Sequence, residues 1–368
     1  MSAAAPVAAA PWRPPDDGLR WPVVPPFDAA SIEPAARGLW RYRAALAVDG
    51  RAAPLSLGEG GTPLVADGPG GPWWKLDFLQ PTGSYKDRGF ATLFTALRAA
   101  GVHAVVEDSS GNAGASAAAY GAAAGIDVTL CLPAGPVSAA RLAQAGAYGA
   151  AIDRTAPTRA AASRRAAELA VGGVVHASHV HHPAYLAGQA TLAFELWESL
   201  GRLPDDVVVP LGHGGLLLGL ALGFSSLVAG GVAKAAPRLH GVQAAAVAPL
   251  ADAFARGAAA PSAVAPGPTA ASGIAIGDPP RGAAVLAAVR ASGGRVWAVD
   301  EADLAAGHRA LARRGWYVEP TSAVVEPVAR ALAGRDGGPC VVAVLTGTGL
   351  KADPPSAADA TAALSGGA

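Results

Sequence analysis

The stretch Pro81-Thr82-Gly83-Ser84-Tyr85-Lys86-Asp87-Arg88-Gly89 places one lysine between a glycine- and hydroxyl-rich turn and an alanine-rich helical pattern. The chain has only four lysines, at positions 75, 86, 234 and 351, although arginine is plentiful. A desolvated lysine can attack a carbonyl and form a Schiff base, whereas an arginine keeps its proton at accessible pH. Two interpretations stay open at this point, a reactive lysine and an ordinary surface lysine at a helix N-terminus.

Composition limits the class of protein. Of the 368 residues, 51% are hydrophobic and 15% are charged, which suits a chain that buries a large core. The formal net charge is zero, so we expect neither nucleic acid nor a membrane surface as a partner. Cys131 and Cys340 lie in apolar runs and are expected to be reduced core residues. With no signal-peptide pattern and no membrane-length apolar run, we expect a soluble, cytoplasmic protein.

Apolar strand-like runs alternate with helical patterns from residue 86 onward. Strands are predicted at 102–106, 128–132, 174–179, 207–210, 242–246, 295–299, 316–318 and 340–345. Helices are predicted at 88–100, 138–147, 158–170, 301–314 and 322–333, after Asn112, and from Leu216 onward. This alternation is typical of an α/β protein with a doubly wound parallel sheet and helices on both faces.

Four loops with small or hydroxyl residues follow predicted strands, at Ser109–Asn112, His179–His182, Gly212–Gly215 and Thr346–Gly349. Ligands of open parallel sheets bind at the carboxyl ends of the strands, so we expect these loops and Lys86 to form one site. The glycines at 212–215 suit a phosphate, because backbone N–H groups and a helix dipole can face the anion. A simple packing turn would have the same sequence.

The order of these motifs resembles that of the threonine synthase-like pyridoxal 5′-phosphate (PLP) enzymes of fold type II. The matching segments are Gly60–Leu64, Pro81–Gly89, Ser110–Asn112, Gly188–Thr191, Gly212–Gly215, Glu319–Ala323 and Leu345–Lys351. The resemblance runs in register from about Gly58 to Lys351. It implies two doubly wound domains with parallel sheets, PLP as the cofactor, and a homodimer.

The same resemblance implies the domain boundaries. Residues 1–88 and 183–368 would form the large PLP-binding domain. The Ala/Pro-rich start and the tail lie outside the resemblance, and from their composition we expect 1–15 and 356–368 to be disordered. Residues 89–182 would form a small, mobile domain that closes over a small amino-acid substrate.

Roles for individual residues also follow from the resemblance. Lys86 would hold PLP as a Schiff base and move the substrate's Cα proton. Asn112 would bind the ring hydroxyl oxygen, and Thr346 would face the pyridine nitrogen. The cofactor phosphate would be bound by backbone groups of Gly212, His213, Gly214 and Gly215. The substrate α-carboxylate would be bound by the loop residues Ser109, Ser110, Gly111, Asn112 and Ala113.

One segment departs from the family pattern. Where threonine synthases that act on O-phosphohomoserine have a serine, an arginine and a lysine, this chain has Val180, Tyr185 and Ala190. Loss of charge-assisted hydrogen bonds removes about 1.5–3 kcal/mol each. This departure argues against a phosphorylated substrate.

Four of the eight histidines lie nearby, at 176, 179, 181 and 182. No metal is predicted, because extended spacing puts only His179 and His181 on one face, with no acidic or cysteine ligand near them in the sequence. We expect His179, His182 and Tyr185 to contact the substrate, and one of the three histidines at 179, 181 and 182 to contact its side chain or protonate its leaving group. Asp87 and Arg88 are interpreted as helix electrostatics, with Arg88 as a surface base.

Three functions remain in view. The first is a lyase or transferase of threonine synthase-like type that performs α,β-elimination or β/γ-replacement, including the conversion of O-phosphohomoserine to threonine. The second is a serine/threonine dehydratase-like or β-replacement enzyme acting on a non-phosphorylated amino acid. The third is a non-catalytic protein that binds PLP or an amino acid, against which the presence of Lys86, Asn112 and Thr346 argues.

Overall fold

The protein is represented by a computed structural model, which describes residues 19–46, 48, 52–135, 139–334 and 338–351. The segments 1–15 and 356–368, for which disorder is predicted, lie outside the described residues. Within those residues no helix combines the length and the apolar character needed to cross a membrane.

The described residues form ten strands in two sheets. The strands are Leu64–Ala66 (β1), Trp73–Lys75 (β2), Ala104–Glu107 (β3), Asp127–Pro133 (β4), Ala151–Ala156 (β5), Val174–His176 (β6), Asp206–Pro210 (β7), Arg238–Ala244 (β8), Arg295–Val299 (β9) and Val341–Val344 (β10). The larger sheet has the order β1-β2-β10-β7-β8-β9 and the smaller has the order β5-β4-β3-β6. All neighbours run parallel except β1 and β2.

Eleven α-helices connect the described strands. They are Lys86–Ala99 (α1), Asn112–Ala124 (α2), Ala139–Ala147 (α3), Arg159–Leu169 (α4), Pro183–Leu200 (α5), Gly215–Ala229 (α6), Pro249–Ala255 (α7), Gly282–Ala291 (α8), Glu301–Arg313 (α9), Pro320–Ala323 (α10) and Glu326–Ala333 (α11). Parallel strands joined by helices give the predicted α/β class. The smaller sheet lies within 89–182, the segment predicted as the small domain, whose boundaries and mobility stay predictions.

Several elements differ from the sequence-based prediction. The strand predicted at 316–318 is reduced to an isolated bridge between Val318 and Thr348. The helix predicted at 322–333 is divided into α10 and α11, and Pro327 lies in the first turn of α11, where its missing N–H is tolerated.

Four elements were not predicted, namely helices α5, α7 and α8 and strand β5. For α5 and β5 there is a physical reason. Helix α5 is buried along most of its length, so its sequence has no polar stripe from which a helical period could be recognised. Strand β5 is an edge strand with exposed residues on both faces, so its sequence lacks the alternation of a half-buried strand.

Helices α5 and α6 pack closely against each other in the hydrophobic core, because glycines of α6 face α5. A Cβ at Gly219 would lie 2.3 Å from the Gln189 Cβ, and a Cβ at Gly223 would lie 2.4 Å from the Ala190 carbonyl oxygen. The segment before β1 packs against this pair, where the Phe27 ring stacks on Phe194 with centroids 4.6 Å apart.

Arg88 is fully buried, so its interpretation as a surface base is wrong. Its Nε and Nη2 atoms donate to the two Asp77 carboxylate oxygens at 2.8 Å. Nη1 donates to Glu195 Oε1 at 2.6 Å, and Lys75 Nζ lies 2.7 Å from Glu195 Oε2. Two cations and two carboxylates therefore compensate one another inside the protein. They connect α1 to β2, to the 3₁₀ turn at Asp77–Leu79 and to α5.

We expect Arg88→Met to lower the free energy of unfolding by about 3–5 kcal/mol, because it leaves buried carboxylates without their main partner. The matched control on the same helix is Arg98→Met, whose guanidinium makes an exposed hydrogen bond to the Ala53 carbonyl. Urea denaturation followed by circular dichroism measures both. Equal losses for the two variants would contradict the structural role of Arg88.

A second prediction concerns acid stability. Burial alone would raise the pKa of Glu195, but Arg88 and Lys75 hold it well below its ordinary value. The ionised carboxylate therefore stabilises the fold above its unfolded pKa of about 4.3, and this contribution is lost as the pH falls. We expect the free energy of unfolding to fall more steeply between about pH 5 and pH 3 in the unaltered protein than in Glu195→Gln. Identical slopes would show that Glu195 does not titrate in this way.

Candidate active site

The turn before α1 is joined by its backbone to the loop after β10. The Tyr85 N–H donates to the Thr346 carbonyl at 2.9 Å, and the Thr348 N–H donates to the Gly83 carbonyl at 3.0 Å. Gly83 has a φ of +84°, and a Cβ there would lie 2.7 Å from Thr348 Cγ2, so the turn requires glycine. These contacts bring Lys86, the first residue of α1, next to Thr346.

Asp87 stabilises the same turn from inside. Its carboxylate accepts hydrogen bonds from the Thr82 N–H at 2.7 Å, from the Thr82 hydroxyl at 2.6 Å and from the Ser116 hydroxyl. Burial raises the pKa of Asp87 to about 6, although these hydrogen bonds act in the opposite direction. The residue after Lys86 thus has a structural role.

A cavity of about 360 Å³ opens at the carboxyl ends of strands from both sheets. All the residues to which a cofactor or substrate contact was assigned line it, except His182: Lys86, Ser109, Ser110, Gly111, Asn112, Ala113, His179, Tyr185, Gly212, His213, Gly214, Gly215 and Thr346. His181, the alternative candidate for the acid, does not line it either. His182 instead caps the N-terminus of α5, where its Nδ1 accepts a hydrogen bond from the Ala184 N–H at 3.2 Å. Burial, followed by the charge of Arg20, lowers the pKa of His182 to about 4.

The glycine loop between β7 and α6 has the form of an anion cradle. Gly214 has a φ of +86°, and a Cβ there would lie 2.2 Å from Val285 Cγ2. Helix α6 begins at Gly215 without a side-chain cap, so its first-turn N–H groups remain available to a ligand. Burial lowers the pKa of His213 to about 3, with Arg159 and Lys86 adding to the shift. The His213 ring is therefore neutral.

Asn112 reaches across the cavity to the loop before α10. Its Nδ2 donates to both Glu319 carboxylate oxygens at 3.1 Å, while its buried Oδ1 has no hydrogen-bond partner among the described residues. A Cβ at Gly347 would lie 2.4 Å from Glu319 Oε1, so this approach needs glycine. The Glu319–Ala323 motif is visible in the sequence, but Glu319 was not predicted to belong to the site.

Ser322, from the same motif, positions Thr346. Its hydroxyl oxygen accepts hydrogen bonds from the Thr346 N–H at 2.9 Å and the Gly347 N–H at 2.7 Å. It also lies 3.0 Å from Thr346 Oγ1. The hydroxyl of Thr346 is thereby held at the edge of the cavity.

Tyr185 occupies the position of the family's arginine with an aromatic ring. A Cβ at Gly89 would lie 2.3 Å from this ring, so helix α1 must carry glycine here. Lys86 Nζ lies 5.9 Å from the centroid of the Tyr185 ring and 4.9 Å from that of Tyr85. The lysine amine therefore lies between two aromatic rings.

His179 forms a pair with Glu107 that sequence reasoning missed. His179 Nδ1 lies 2.6 Å from Glu107 Oε1, and both side chains are buried. Burial raises the pKa of Glu107 well above its ordinary value and lowers that of His179 well below its own. A signal was present in the sequence, since Glu107 directly precedes the Asp108–Ser109 step at the end of a predicted strand.

The prediction of no metal did not take into account two acidic residues, Glu107 and Asp108, that lie near the histidines in the structure. Glu107, Asp108 and His176 each place one oxygen or nitrogen within 4.8 Å of the others. Asp108 already accepts a hydrogen bond from Ser163, and His176 Nε2 lies 3.6 Å from it. The absence of a metal stays a prediction.

Arg159 was also missed. It is the first residue of α4 and lines the cavity. The sequence around Arg159 does not mark it as a site residue, because an alanine- and arginine-rich helix is typical of a solvent-exposed surface.

Comparison with known proteins places this geometry in a family. Residues 55–347 match the family model described as "Pyridoxal-phosphate dependent enzyme". The threonine synthase of Methanocaldococcus jannaschii is 33% identical over 334 residues, covering 87% of this chain and 82% of that protein. The threonine synthase of Mycobacterium leprae is 36% identical over 336 residues, covering 86% of this chain and 88% of that protein.

Solved structures agree on the fold. Maize serine racemase superimposes with a TM-score of 0.66 at 20% identity, covering 83% of this chain and 92% of that chain. The threonine deaminase of T.th. superimposes with a TM-score of 0.63 at 27% identity, covering 77% of this chain and 88% of that chain. The family match over most of the chain, the threonine synthase relatives and the shared fold type II architecture show that this chain belongs to the pyridoxal-phosphate-dependent enzymes, with PLP as the cofactor.

Proposed function

We propose that this protein is a PLP-dependent lyase of the threonine synthase kind, which eliminates or replaces a group on the side chain of an amino acid. One observation carries the proposal. Residues that are far apart in sequence, namely Lys86, Asn112, the Gly212–Gly215 loop and Thr346, line the same cavity. The expected homodimer and cytoplasmic location stay predictions.

The residues present fit the cofactor. The uncapped N-terminus of α6 suits its phosphate, and the unpartnered Asn112 Oδ1 suits its ring hydroxyl. Thr346 would present a hydroxyl to the pyridine nitrogen, and Lys86 would supply the amine for the Schiff base. When bound, PLP withdraws electrons from the substrate's Cα and so eases loss of the Cα proton.

The chain's own groups supply the remaining steps. Lys86 Nζ, held between Tyr85 and Tyr185, would accept the Cα proton. Helix α2 begins at Asn112 without a side-chain cap, so its N–H groups can bind the substrate α-carboxylate. Thr346 is neutral and does not enforce protonation of the pyridine nitrogen as an aspartate would, which favours elimination and replacement over transamination.

A second candidate function is the formation of threonine from O-phosphohomoserine. The threonine synthase relatives support it, and Arg159 is the structural observation that favours it. The family's serine, arginine and lysine positions are filled by side chains that cannot bind phosphate by charge, but Arg159 brings a permanent cation to the cavity from a different helix.

Replacement of Lys86 tests whether the protein is an enzyme. We expect purified protein loaded with PLP to show visible absorbance that changes when an amino-acid substrate is added. Lys86→Ala should lose both this absorbance and, by about 100-fold or more, the release of product. The exposed Lys234→Ala is the matched control.

Two results would contradict the proposal. A protein that cannot be reconstituted with PLP would exclude the cofactor assignment. Bound PLP whose absorbance no amino acid changes would favour the non-catalytic binding protein.

Replacement of Arg159 tests the second candidate. If Arg159 binds the substrate phosphate, Arg159→Ala should raise KM for O-phosphohomoserine by about 10- to 100-fold, since a charge-assisted hydrogen bond is worth about 1.5–3 kcal/mol. KM for L-serine should change little. Arg164→Ala, on the exposed face of the same helix, is the control. An unchanged KM for O-phosphohomoserine would remove the structural support for this candidate.

A further inference from the structure

Glu107 and His179 meet at the end of two neighbouring parallel strands. Glu107 is the last residue of β3, and His179 follows β6 by three residues, where Val106 pairs in register with His176. Glu107 is fully buried, and His179 is 7% exposed where it lines the cavity. Because Nδ1 is held by the Glu107 carboxyl at 2.6 Å, Nε2 is the ring nitrogen left for a ligand.

The pair is surrounded by charged and titratable groups from every neighbouring element. These are Asp108 after β3, His176 at the end of β6, Lys86 on α1, Arg159 on α4, Tyr185 on α5 and His213 before α6. Burial, reinforced by Asp108, raises the pKa of Glu107, and burial, reinforced by Lys86, lowers that of His179. The 2.6 Å contact between Oε1 and Nδ1 requires a proton between these atoms. Both pKa directions favour the neutral pair, in which Nε2 carries the second proton.

We propose that Glu107 and His179 form a proton-donating dyad that adapts the cavity to amino acids whose side-chain leaving group is a hydroxyl. This inference rests on the proposed elimination chemistry. A hydroxyl is a poor leaving group unless it receives a proton as it departs. Phosphate and chloride can leave without being protonated. His179 would be the catalytic acid, and Glu107 would be its positioning residue.

With a β-hydroxy amino acid, the Cα–H bond breaks and its proton goes to Lys86. The electron pair left on Cα forms the second bond between Cα and Cβ as the Cβ–O bond breaks. The departing oxygen keeps the electron pair of that bond, takes the Nε2 proton of His179 and leaves as water. Glu107 passes its proton to Nδ1, so the dyad ends as a carboxylate and a neutral imidazole and regains one proton from solvent.

The test compares leaving groups in the PLP-loaded full chain. Product release is measured with L-serine and L-threonine, which lose a hydroxyl, and with β-chloro-L-alanine, which loses chloride without a proton. The variants are His179→Asn and Glu107→Gln, and the control is His103→Asn. His103 directly precedes β3 and so lies at the opposite end of that strand from Glu107. Circular dichroism and cofactor absorbance verify that each variant is folded and loaded.

We expect His179→Asn to lower kcat/KM for the hydroxy amino acids by about 100-fold or more and to change β-chloro-L-alanine turnover by less than about 3-fold. Glu107→Gln should give a smaller loss of the same selective kind, because the amide can still hydrogen-bond to Nδ1 but cannot pass on a proton. In the unaltered enzyme, kcat/KM for L-serine should fall as rising pH removes the dyad proton, without a matching fall for β-chloro-L-alanine.

Equal losses on all substrates, or no loss on any, would overturn the dyad. The dyad would also be overturned if the unaltered enzyme released product from β-chloro-L-alanine but from neither hydroxy amino acid. In that case the proposed elimination chemistry would stand. An unaltered enzyme that turns over none of the three would overturn the dyad, and the further absence of product from O-phosphohomoserine would overturn the proposed elimination chemistry as well.

Discussion

The buried contact between Arg88 and the carboxylates of Asp77 and Glu195 determines where the rest of the site lies. Arg88 is two residues after Lys86, so whatever holds its guanidinium also orients the start of α1. Its partners come from the segment after β2 and from α5, and Lys75 completes the charge balance. A buried charge without a partner is strongly destabilising, so this cluster tolerates little displacement of any of the elements it joins.

Close backbone packing reinforces this arrangement. A Cβ at Gly188 would lie 2.0 Å from the Arg88 carbonyl oxygen, so α1 and α5 approach more closely than side chains would allow. On the other side, backbone hydrogen bonds join the turn at 83–85 to the loop at 346–348. The position of Lys86 is thus fixed by three kinds of contact: the buried ion pairs of Arg88, the close packing of α1 on α5, and the backbone hydrogen bonds of the preceding turn.

The sequence predicted the parts of the site that depend on local chemistry. Glycines before a helix, a lysine after a tight turn and hydroxyl residues after strands are readable because their backbone requirements are local, and all of these line the cavity. Glu107, Arg159 and Glu319 were not assigned to the site, because their significance depends on which strands and helices are neighbours. Arg88 was misinterpreted for the same reason, since nothing in its immediate sequence shows that Asp77 and Glu195 will surround it.

The hydrogen bonds between Asn112 and Glu319 have a mechanical consequence. Asn112 begins α2, directly after the loop that follows β3 of the smaller sheet, whereas Glu319 belongs to the part of the chain packed against the larger sheet. Lys86, the glycine loop and Thr346 are tied to that larger sheet, while the dyad is carried by the smaller one. Any sliding of one sheet past the other would therefore leave Lys86, the glycine loop and Thr346 in place and shift Asn112 and the proposed acid, His179. The Asn112 amide, which is proposed to bind the ring hydroxyl of the cofactor, is the point at which such a displacement would be transmitted to the cofactor.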